Sequence, residues 1–321
     1  MAAGTAATPW DIVIVGAGPA GMSAALILGR CRRLVLLCDR GTPRSWASKS
    51  MHAFITRDGI PPEEFRRRAR RELMRYPNVA YWRGEVTEAA RAGTGFIVRL
   101  GRRRVRARKL LIATGVLDQV PPVDGFAELF GISVFPCPYC DGWERRDQPL
   151  AAYGKRQRGY EMARALTAWT RDVVLCTDGP SGLAAAQRRH LSANGIAVRD
   201  ERILRLQMRN GRLWDIVFEN GERLRRKAIF FDTPSRPQSP LAHRLGCMID
   251  QRGAVKRGQY EATSVPGIFV AGNVIRDVQL SIVAAAEGAR AAFGINQALT
   301  REDFERRVTG STRIRHPASP T

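Results

Sequence analysis

Hydrophobic runs and helix-forming segments alternate along the first 40 residues of the chain. Residues 11–40 have the sequence DIVIVGAGPAGMSAALILGRCRRLVLLCDR. A β-branched run leads into a glycine-rich turn, and an alanine-rich segment of helical length separates this turn from a second hydrophobic run. The pattern predicts a β-strand, an α-helix and a second strand that is parallel to the first.

The same order of elements begins again near the middle of the chain. Residues 149–179, PLAAYGKRQRGYEMARALTAWTRDVVLCTDG, contain a hydrophobic run that ends at Gly154, a helix-like segment and another hydrophobic run. Strand-like runs follow each half, and the pairs Asn210-Gly211 and Asn220-Gly221 predict tight turns between strands of the second half. The predicted fold class is therefore α/β, with two Rossmann-like, three-layer domains.

The first glycine-rich turn has the spacing of a dinucleotide-binding motif. It consists of Gly16, Gly18, Pro19, Ala20 and Gly21, and Asp39 ends the next hydrophobic run. The first glycine permits a tight turn, the middle one lets the backbone approach a pyrophosphate, and the third lets the helix pack on the strand. The helix N-terminus favours a pyrophosphate, and Asp39 can accept a hydrogen bond from a ribose. This half is predicted to bind a dinucleotide.

The second glycine-rich turn departs from this motif. Arg156 stands where the middle glycine is expected, and its side chain would occupy the path of a pyrophosphate. The basic residues Lys155, Arg156 and Arg158 could instead attract phosphate by charge. Binding of NADH or NADPH is therefore left open for this half.

The high net positive charge raises the question of whether the protein binds nucleic acid. The formal net charge is +22, from 52 Lys and Arg against 30 Asp and Glu. The basic runs at 66–72 and 101–109 lie on a helix-like and a strand-like segment rather than around one nucleic-acid-binding motif. We therefore attribute the positive charge to a compositional bias towards arginine. Attraction to acidic protein partners is an alternative. Nucleic acid is not an expected partner.

The chain contains neither a secretory signal pattern nor an apolar stretch of membrane-spanning length. We therefore expect a cytoplasmic protein without a membrane segment. Stable structural disulfides are uncommon in that compartment.

Cys137 and Cys140 form the one Cys-x-x-Cys of the sequence, and Asp141 follows directly. Zinc takes about four ligands, whereas this pair stands alone and the four histidines are dispersed, so no metal site is predicted. A helix start would lower the pKa of the thiols and favour a nucleophilic thiolate. We predict a redox-active pair. The other cysteines lie in or near apolar segments and are expected to be small buried hydrophobes; they are Cys31, Cys38, Cys176 and Cys247.

The segments GAGPAG, LLIATG, CPYCDG and VPGIFVAGN with AAAEGARAA occur in this order. Over residues 10–300 the chain thereby resembles the low-molecular-weight thioredoxin reductases, which are FAD-dependent disulfide oxidoreductases. The resemblance implies a discontinuous FAD domain at 10–119 and 243–321, with an NAD(P)-binding-like domain at 120–242 inserted into it and carrying the CPYC motif. It also implies a homodimer.

The resemblance further assigns roles to matching positions. The glycines of the first motif would hold the FAD pyrophosphate, and Asp39 the adenosine ribose. Other positions that would contact FAD are Ala113, Thr114, Gly115, Gly272, Asn273, Leu280 and Ser281. Asn273 replaces an aspartate of the family, but its amide oxygen can still accept a hydrogen bond. Cys140 would exchange electrons with the flavin, Cys137 would react with the substrate sulfur, and Asp141 would transfer protons. His52, on a loop at 48–62, is a candidate additional proton carrier.

Two departures bear on the direction of electron flow. The family has a basic cluster for the NADPH 2′-phosphate where this chain has Thr177-Asp178-Gly179, and an acidic residue there favours NADH over NADPH. The CPYC motif followed by Gly-Trp-Glu resembles a branch related to dithiol oxidases, which pass electrons from dithiols such as those of gliotoxin and holomycin through flavin to oxygen. The preferred hypothesis is an FAD-dependent oxidoreductase that relays two electrons between flavin and a dithiol without normal NADPH use.

Two alternatives stay open at this point. One is an NAD(P)H-dependent reductase of a thioredoxin-like protein. The other is a non-catalytic flavin-binding interaction protein, against which the intact cysteine pair and Asp141 argue.

Overall fold

The computed structural model describes residues 9–276 and 278–308. Its strands are β1 (Trp10–Val15), β2 (Val35–Asp39), β3 (Val79–Arg83), β4 (Val86–Ala92), β5 (Gly95–Leu100), β6 (Arg103–Ile112), β7 (Val116–Asp118), β8 (Val134–Phe135), β9 (Leu150–Tyr153), β10 (Val173–Cys176), β11 (Ala197–Arg199), β12 (Ile203–Arg209), β13 (Arg212–Phe218), β14 (Arg223–Arg225), β15 (Ala228–Phe231), β16 (Ser235–Pro237) and β17 (Ile268–Val270). Its α-helices are α1 (Pro19–Arg30), α2 (Pro62–Leu73), α3 (Phe126–Leu129), α4 (Pro138–Asp141), α5 (Arg156–Leu166), α6 (Ala185–Ala193), α7 (Leu241–Arg244) and α8 (Ser281–Val308). Short 3₁₀ helices span Trp143–Arg145, Gln259–Glu261 and Asn273–Ile275.

The chain divides into two compact units. The described residues of unit 1 are 9–44, 63–117 and 237–308 without Asp277, and unit 2 consists of Ser45–Pro62 and Asp118–Arg236. The predicted boundaries place 45–62 in the first domain, whereas in the structure this loop groups with unit 2. The loop packs there closely, since a Cβ on Gly131 would lie 2.4 Å from the carbonyl oxygen of Ala47. The last residues of the predicted first domain, 309–321, lie outside the described residues.

Unit 1 is built on a seven-stranded sheet. Its order is β3-β2-β1-β6-β5-β4, and β17 also pairs with β6. The strands β1, β2, β3, β6 and β17 are mutually parallel where they pair, while β4, β5 and β6 are antiparallel. Ile12, Val13 and Ile14 of β1 are fully buried, as expected for a parallel strand covered on both faces. The predicted order of strand, helix and parallel strand is confirmed.

Helix α8 covers this sheet together with α1. Small residues allow the two helices to approach closely, since a Cβ on Gly288 would lie 2.0 Å from the carbonyl oxygen of Ala20. Helix α8 begins at Ser281. Gly288 of α8 thus lies against the first turn of α1, which carries part of the glycine-rich motif.

Unit 2 repeats the alternation of strands and helices. Its five-stranded sheet has the order β11-β10-β9-β15-β8, with every pairing parallel, and a separate three-stranded sheet has the order β12-β13-β14. Antiparallel pairing of β12 with β13 and of β13 with β14 places the two Asn-Gly pairs in the predicted turns. Asn210 and Gly211 have φ angles of 53° and 68°, as a type I′ turn requires.

Within residues 9–276 and 278–308, no helix combines sufficient length with sufficient hydrophobicity to cross a membrane.

Candidate active site

The two cysteines of the CPYC motif form a disulfide at the start of α4. Their Cα atoms are 5.3 Å apart, and the helix begins directly after Cys137. Pro138 occupies the first helical position, where a missing N–H breaks no intrahelical hydrogen bond. The amides of Cys140 and Asp141 both donate to the carbonyl oxygen of Cys137, at 3.2 Å. The helical turn thus brings two cysteines three residues apart into bonding distance.

Asp141 follows the disulfide and is largely buried. Burial, followed by the negative charge of Glu144, raises the pKa of its carboxyl to about 6, while the positive charges of His52 and Arg145 act in the opposite direction. A carboxyl group with a pKa in this range can both donate and accept a proton near neutral pH.

His52 reaches the same part of unit 2 from the 45–62 loop. Its Nε2 lies 3.6 Å from Oε1 of Glu144, and its Nδ1 lies 3.5 Å from Oδ1 of Asp58. His52, Asp141 and Glu144 all line one cavity of about 120 Å³. The structure therefore brings together the two side chains that the sequence proposes as proton carriers.

The remaining cysteines do not share this environment. Cys38, Cys176 and Cys247 are buried, and burial raises the pKa of the Cys38 and Cys176 thiols to about 12. Such thiols stay protonated and behave as small hydrophobes. The expectation of burial is confirmed for these three but is wrong for Cys31, which is exposed because it follows the last residue of α1.

The first glycine-rich turn of unit 1 has an open backbone where a dinucleotide would bind. Gly16 has a φ angle of 112°, and a Cβ there would lie 2.3 Å from the carbonyl oxygen of Ala113, so the fold itself requires glycine. In contrast, no described atom lies within 4 Å of a Cβ placed on Gly18, and no side chain caps α1 at this residue. The open backbone at a helix N-terminus fits a pyrophosphate.

Asp39 lies at the end of β2 and is buried. Its carboxylate accepts hydrogen bonds from the Gly41 amide at 2.8 Å, from Arg66 Nη2 at 2.7 Å and from the Tyr81 hydroxyl. A carboxylate offers about four acceptor positions. Asp39 thus retains capacity for about one further donor, such as a ribose hydroxyl, in addition to its protein partners.

The other predicted FAD positions also lie in unit 1, and a Cβ on Gly272 would lie 3.1 Å from Cβ of Ala20 in the same turn. Ala113, Thr114 and Gly115 follow β6, and the buried Thr114 hydroxyl has no hydrogen-bond partner among the described residues. The Gly272 amide donates to Glu287 Oε2 at 2.8 Å, which fixes the backbone just before Asn273. Leu280 directly precedes α8 and Ser281 is its first residue. An unpaired buried hydroxyl and a second helix N-terminus are both features that a bound cofactor can satisfy.

The second glycine-rich turn, in unit 2, is organised differently. Arg156 adopts a φ angle of 52°, in the left-handed region, and its amide donates to the carbonyl oxygen of Ser181 at 2.8 Å. Its side chain lies against Gly182, where an added Cβ would be 3.0 Å from Arg156 Cγ. A donor at the N-terminus of α5 is therefore already paired within the chain.

The carboxylate of Asp178 accepts hydrogen bonds from two other residues of unit 2. Its Oδ2 accepts from the Tyr153 hydroxyl at 3.2 Å, and its Oδ1 accepts from the Ile203 amide at 2.9 Å. Arg158, one of the candidate phosphate-attracting residues, pairs with Asp232 at 3.0 Å. The side chains of Asp178 and Arg158 thus bind other residues of the protein.

Sequence reasoning missed three residues of these sites: Glu144, Ser181 and Arg66. Glu144 follows Asp141 by three residues on a helical segment, and this spacing is a usable signal because such residues lie on the same face. Ser181 and Arg66 contact partners that lie 25 and 27 residues away in sequence, and no local pattern indicates those contacts.

No group of three or more His, Cys, Asp or Glu side chains within residues 9–276 and 278–308 is arranged to hold a metal ion.

Unit 2 carries a redox-capable cysteine pair beside an acidic residue, and both units have the strand–helix–strand topology of dinucleotide-binding domains. Together they define an enzyme that exchanges electrons between a disulfide and a bound dinucleotide.

The chain belongs to the pyridine nucleotide-disulphide oxidoreductase family, whose model matches residues 10–288. Enzymes of this family are flavoprotein disulfide oxidoreductases that use FAD with NAD(P)H, and this chain is of the thioredoxin reductase-like type. Its fold is accordingly that of two Rossmann-like α/β domains.

Similar proteins cover nearly the whole chain. The thioredoxin reductase tcpT of Claviceps purpurea is 31% identical over 278 residues, which are 82% of this chain and 86% of that protein. The crystal structure of HlmI matches with a TM-score of 0.91 and 34% identity, over 94% of this chain and 96% of HlmI. An oxidoreductase from Agrobacterium tumefaciens matches with a TM-score of 0.86 and 30% identity, over 92% and 99% of the two chains.

Proposed function

We propose that this enzyme is an FAD-dependent dithiol oxidase that relays two electrons from a dithiol substrate to the flavin through Cys137 and Cys140, without normal NADPH use. The disulfide at the start of α4, followed by the buried Asp141, supports the relay. The hydrogen bond from the Arg156 amide to Ser181 is the observation that carries the direction of electron flow, because it pairs a donor that a nicotinamide dinucleotide would use.

The thiol chemistry proceeds by disulfide exchange. One substrate thiolate attacks Sγ of Cys137, a mixed disulfide forms, and Cys140 leaves as a thiolate. The second substrate thiol then displaces Cys137, which releases the oxidised substrate and leaves both cysteines reduced. Two electrons have passed from the substrate to the cysteine pair, ready for transfer from Cys140 to the flavin.

Asp141 moves the protons of this exchange. Its raised pKa lets it receive a proton from an incoming thiol and return it to a leaving thiolate. His52 and Glu144 line the same cavity and connect this carboxyl with solvent. His52 is the further proton carrier in this proposal.

When bound, FAD would supply a two-electron acceptor for the reduced cysteines. Its pyrophosphate would be held at Gly16, Gly18, Pro19, Ala20 and Gly21, and its ribose at Asp39. The set would be completed by Thr114, Gly115, Asn273 and the start of α8. The open Gly18 and the unpaired Thr114 hydroxyl support this assignment.

The alternative is an NAD(P)H-dependent reductase of a thioredoxin-like protein. The names of relatives such as tcpT favour it, and the interactions of Arg156 and Asp178 oppose it.

We further propose that the enzyme is a cytoplasmic homodimer. Its expected substrate is a small dithiol, and nucleic acid is not an expected partner.

The relay is tested by replacing the flavin-reducing cysteine. Purified Cys140→Ser holoenzyme is mixed anaerobically with a small dithiol while the visible flavin absorbance is followed. We expect unchanged FAD content and complete loss of rapid bleaching, whereas Cys31→Ser, which removes an exposed thiol of unit 1, bleaches as the wild type does. Bleaching of Cys140→Ser at the wild-type rate would contradict the relay.

A further inference from the structure

A polar cavity flanks the CPYC motif in unit 2. Its wall includes Phe135, two residues before Cys137, and Asp141, directly after Cys140. Its volume of about 120 Å³ can hold a small polar group together with ordered water. Residues that flank the cysteine pair in sequence thus line a cavity that a polar group of the substrate can occupy.

Two guanidinium groups contribute to the wall of this cavity. Arg145 is half-buried, its guanidinium lies 5.3 Å from the centre of the Phe135 ring, and its Nη2 donates to the Ile132 carbonyl oxygen at 3.0 Å. Arg212 begins β13 and is exposed, and its side chain makes no hydrogen bond or ion pair with any residue that the structure describes. After burial, the positive charge of Arg212 is the next cause that lowers the pKa of Arg145. The two like charges thus lie close enough to affect each other.

Acidic groups in the cavity only partly compensate these charges. Glu144 lies 3.6 Å from His52 Nε2, and Asp141 is the proton carrier of the proposed reaction. Lys49 also lines the cavity. Three permanent cations therefore face two carboxylates, and the surplus of positive charge favours an anion.

We propose that Arg145 and Arg212 form a subsite for the carboxylate of a small dithiol acid; this inference rests on the proposed function and names its substrate class. Residues 138–145 are helical through α4, Gly142 and the 3₁₀ helix Trp143–Arg145. With a rise of about 1.5–2.0 Å per residue, the Cα atoms of Cys140 and Arg145 are separated by about 8–10 Å. A carboxylate joined to the dithiol by a short aliphatic chain can span such a distance. Arg145, already held by Phe135 and Ile132, gives the subsite a fixed guanidinium.

The test compares two dithiols that differ in this one group. The holoenzyme is titrated anaerobically with dihydrolipoate and with its neutral analogue dihydrolipoamide, and flavin bleaching gives the half-saturating concentration of each. We expect dihydrolipoate to half-saturate at a concentration at least about tenfold lower, because charge-assisted hydrogen bonds to guanidinium are strong. Arg212→Gln should abolish this preference.

Arg205→Gln is the matched control. Arg205 is exposed on β12 of the same sheet but does not line the cavity, so this variant loses the same charge and keeps the preference. Equal half-saturation of the two dithiols by the wild type, or a preference that survives Arg212→Gln, would overturn the subsite and leave the proposed oxidase intact.

Failure of both dithiols to bleach the flavin would instead overturn the proposed function. The subsite is then judged by calorimetry with the oxidised pair, lipoate and lipoamide, whose binding requires no electron transfer. Tighter binding of lipoate that is lost in Arg212→Gln supports the carboxylate subsite, and equal binding of the two compounds overturns it.

Discussion

At the scale of single residues, burial and the charges around Asp141 set the pKa of the carboxyl that we propose as a proton carrier. Burial is the main cause of its raised pKa of about 6, and the Glu144 and His52 charges change that pKa in opposite directions. The sequence indicates Asp141 because it follows Cys140. The family resemblance also proposes His52, but no local pattern predicts its effect on the pKa of Asp141, because His52 lies 89 positions earlier and reaches the cavity only through the folded 45–62 loop.

These opposing charges predict opposite shifts in a pH profile. The rate of dithiol-dependent flavin bleaching should have an inflection near pH 6, where Asp141 ionises. Glu144→Gln removes a negative charge, stabilises the ionised form of Asp141 and moves the inflection to lower pH. His52→Gln removes the positive charge that favours the ionised form and moves the inflection to higher pH.

Stopped-flow bleaching between pH 5 and 8 measures this inflection. Glu219→Gln, an exposed substitution elsewhere in unit 2, should leave it in place. Shifts of the same sign in the two cavity variants would show that Asp141 is not the group that titrates.

At the scale of secondary-structure elements, the two glycine-rich turns have diverged although their strands and helices match. The turn between β1 and α1 leaves Gly18 open, whereas in the turn between β9 and α5 the Arg156 amide donates to Ser181. The sequence reveals the arginine but not the serine. The two turns therefore differ in a backbone contact, at Ser181, as well as in the side chain at position 156.

This arrangement predicts that Arg156→Gly will not create a nicotinamide site. Glycine adopts the φ angle of 52° without strain, so the variant should fold, with a melting temperature close to that of the wild type. Its amide should still donate to Ser181. We expect neither NADH nor NADPH to bleach the flavin of the variant anaerobically, and rapid bleaching by either would show that the side chain alone excludes the cofactor.

The contrast between these elements shows what the sequence could predict. The β1–α1–β2 unit and both Asn-Gly turns follow from local patterns, because hydrophobic period and turn chemistry act over a few residues. The position of the 45–62 loop depends on contacts such as Ala47 with Gly131. Contacts of this kind join segments far apart in sequence, and no periodicity indicates them.

At the scale of the whole molecule, the family defines the class of chemistry, and the residues that we propose for it lie in both units. Unit 1 contains the proposed FAD positions, and unit 2 contains the disulfide, the proposed proton carriers and the altered second turn. The family uses FAD with NAD(P)H. Our central claim is that this chain keeps the flavin and the dithiol exchange and has lost normal use of the nicotinamide.

An anaerobic titration of the wild-type holoenzyme tests this claim most directly. NADH, NADPH and a small dithiol are added to separate samples, and the visible absorbance of the flavin is followed. The account predicts rapid bleaching by the dithiol alone, with hydrogen peroxide formed when air is admitted. Rapid bleaching by NADH or NADPH would contradict it and would identify the enzyme as a reductase.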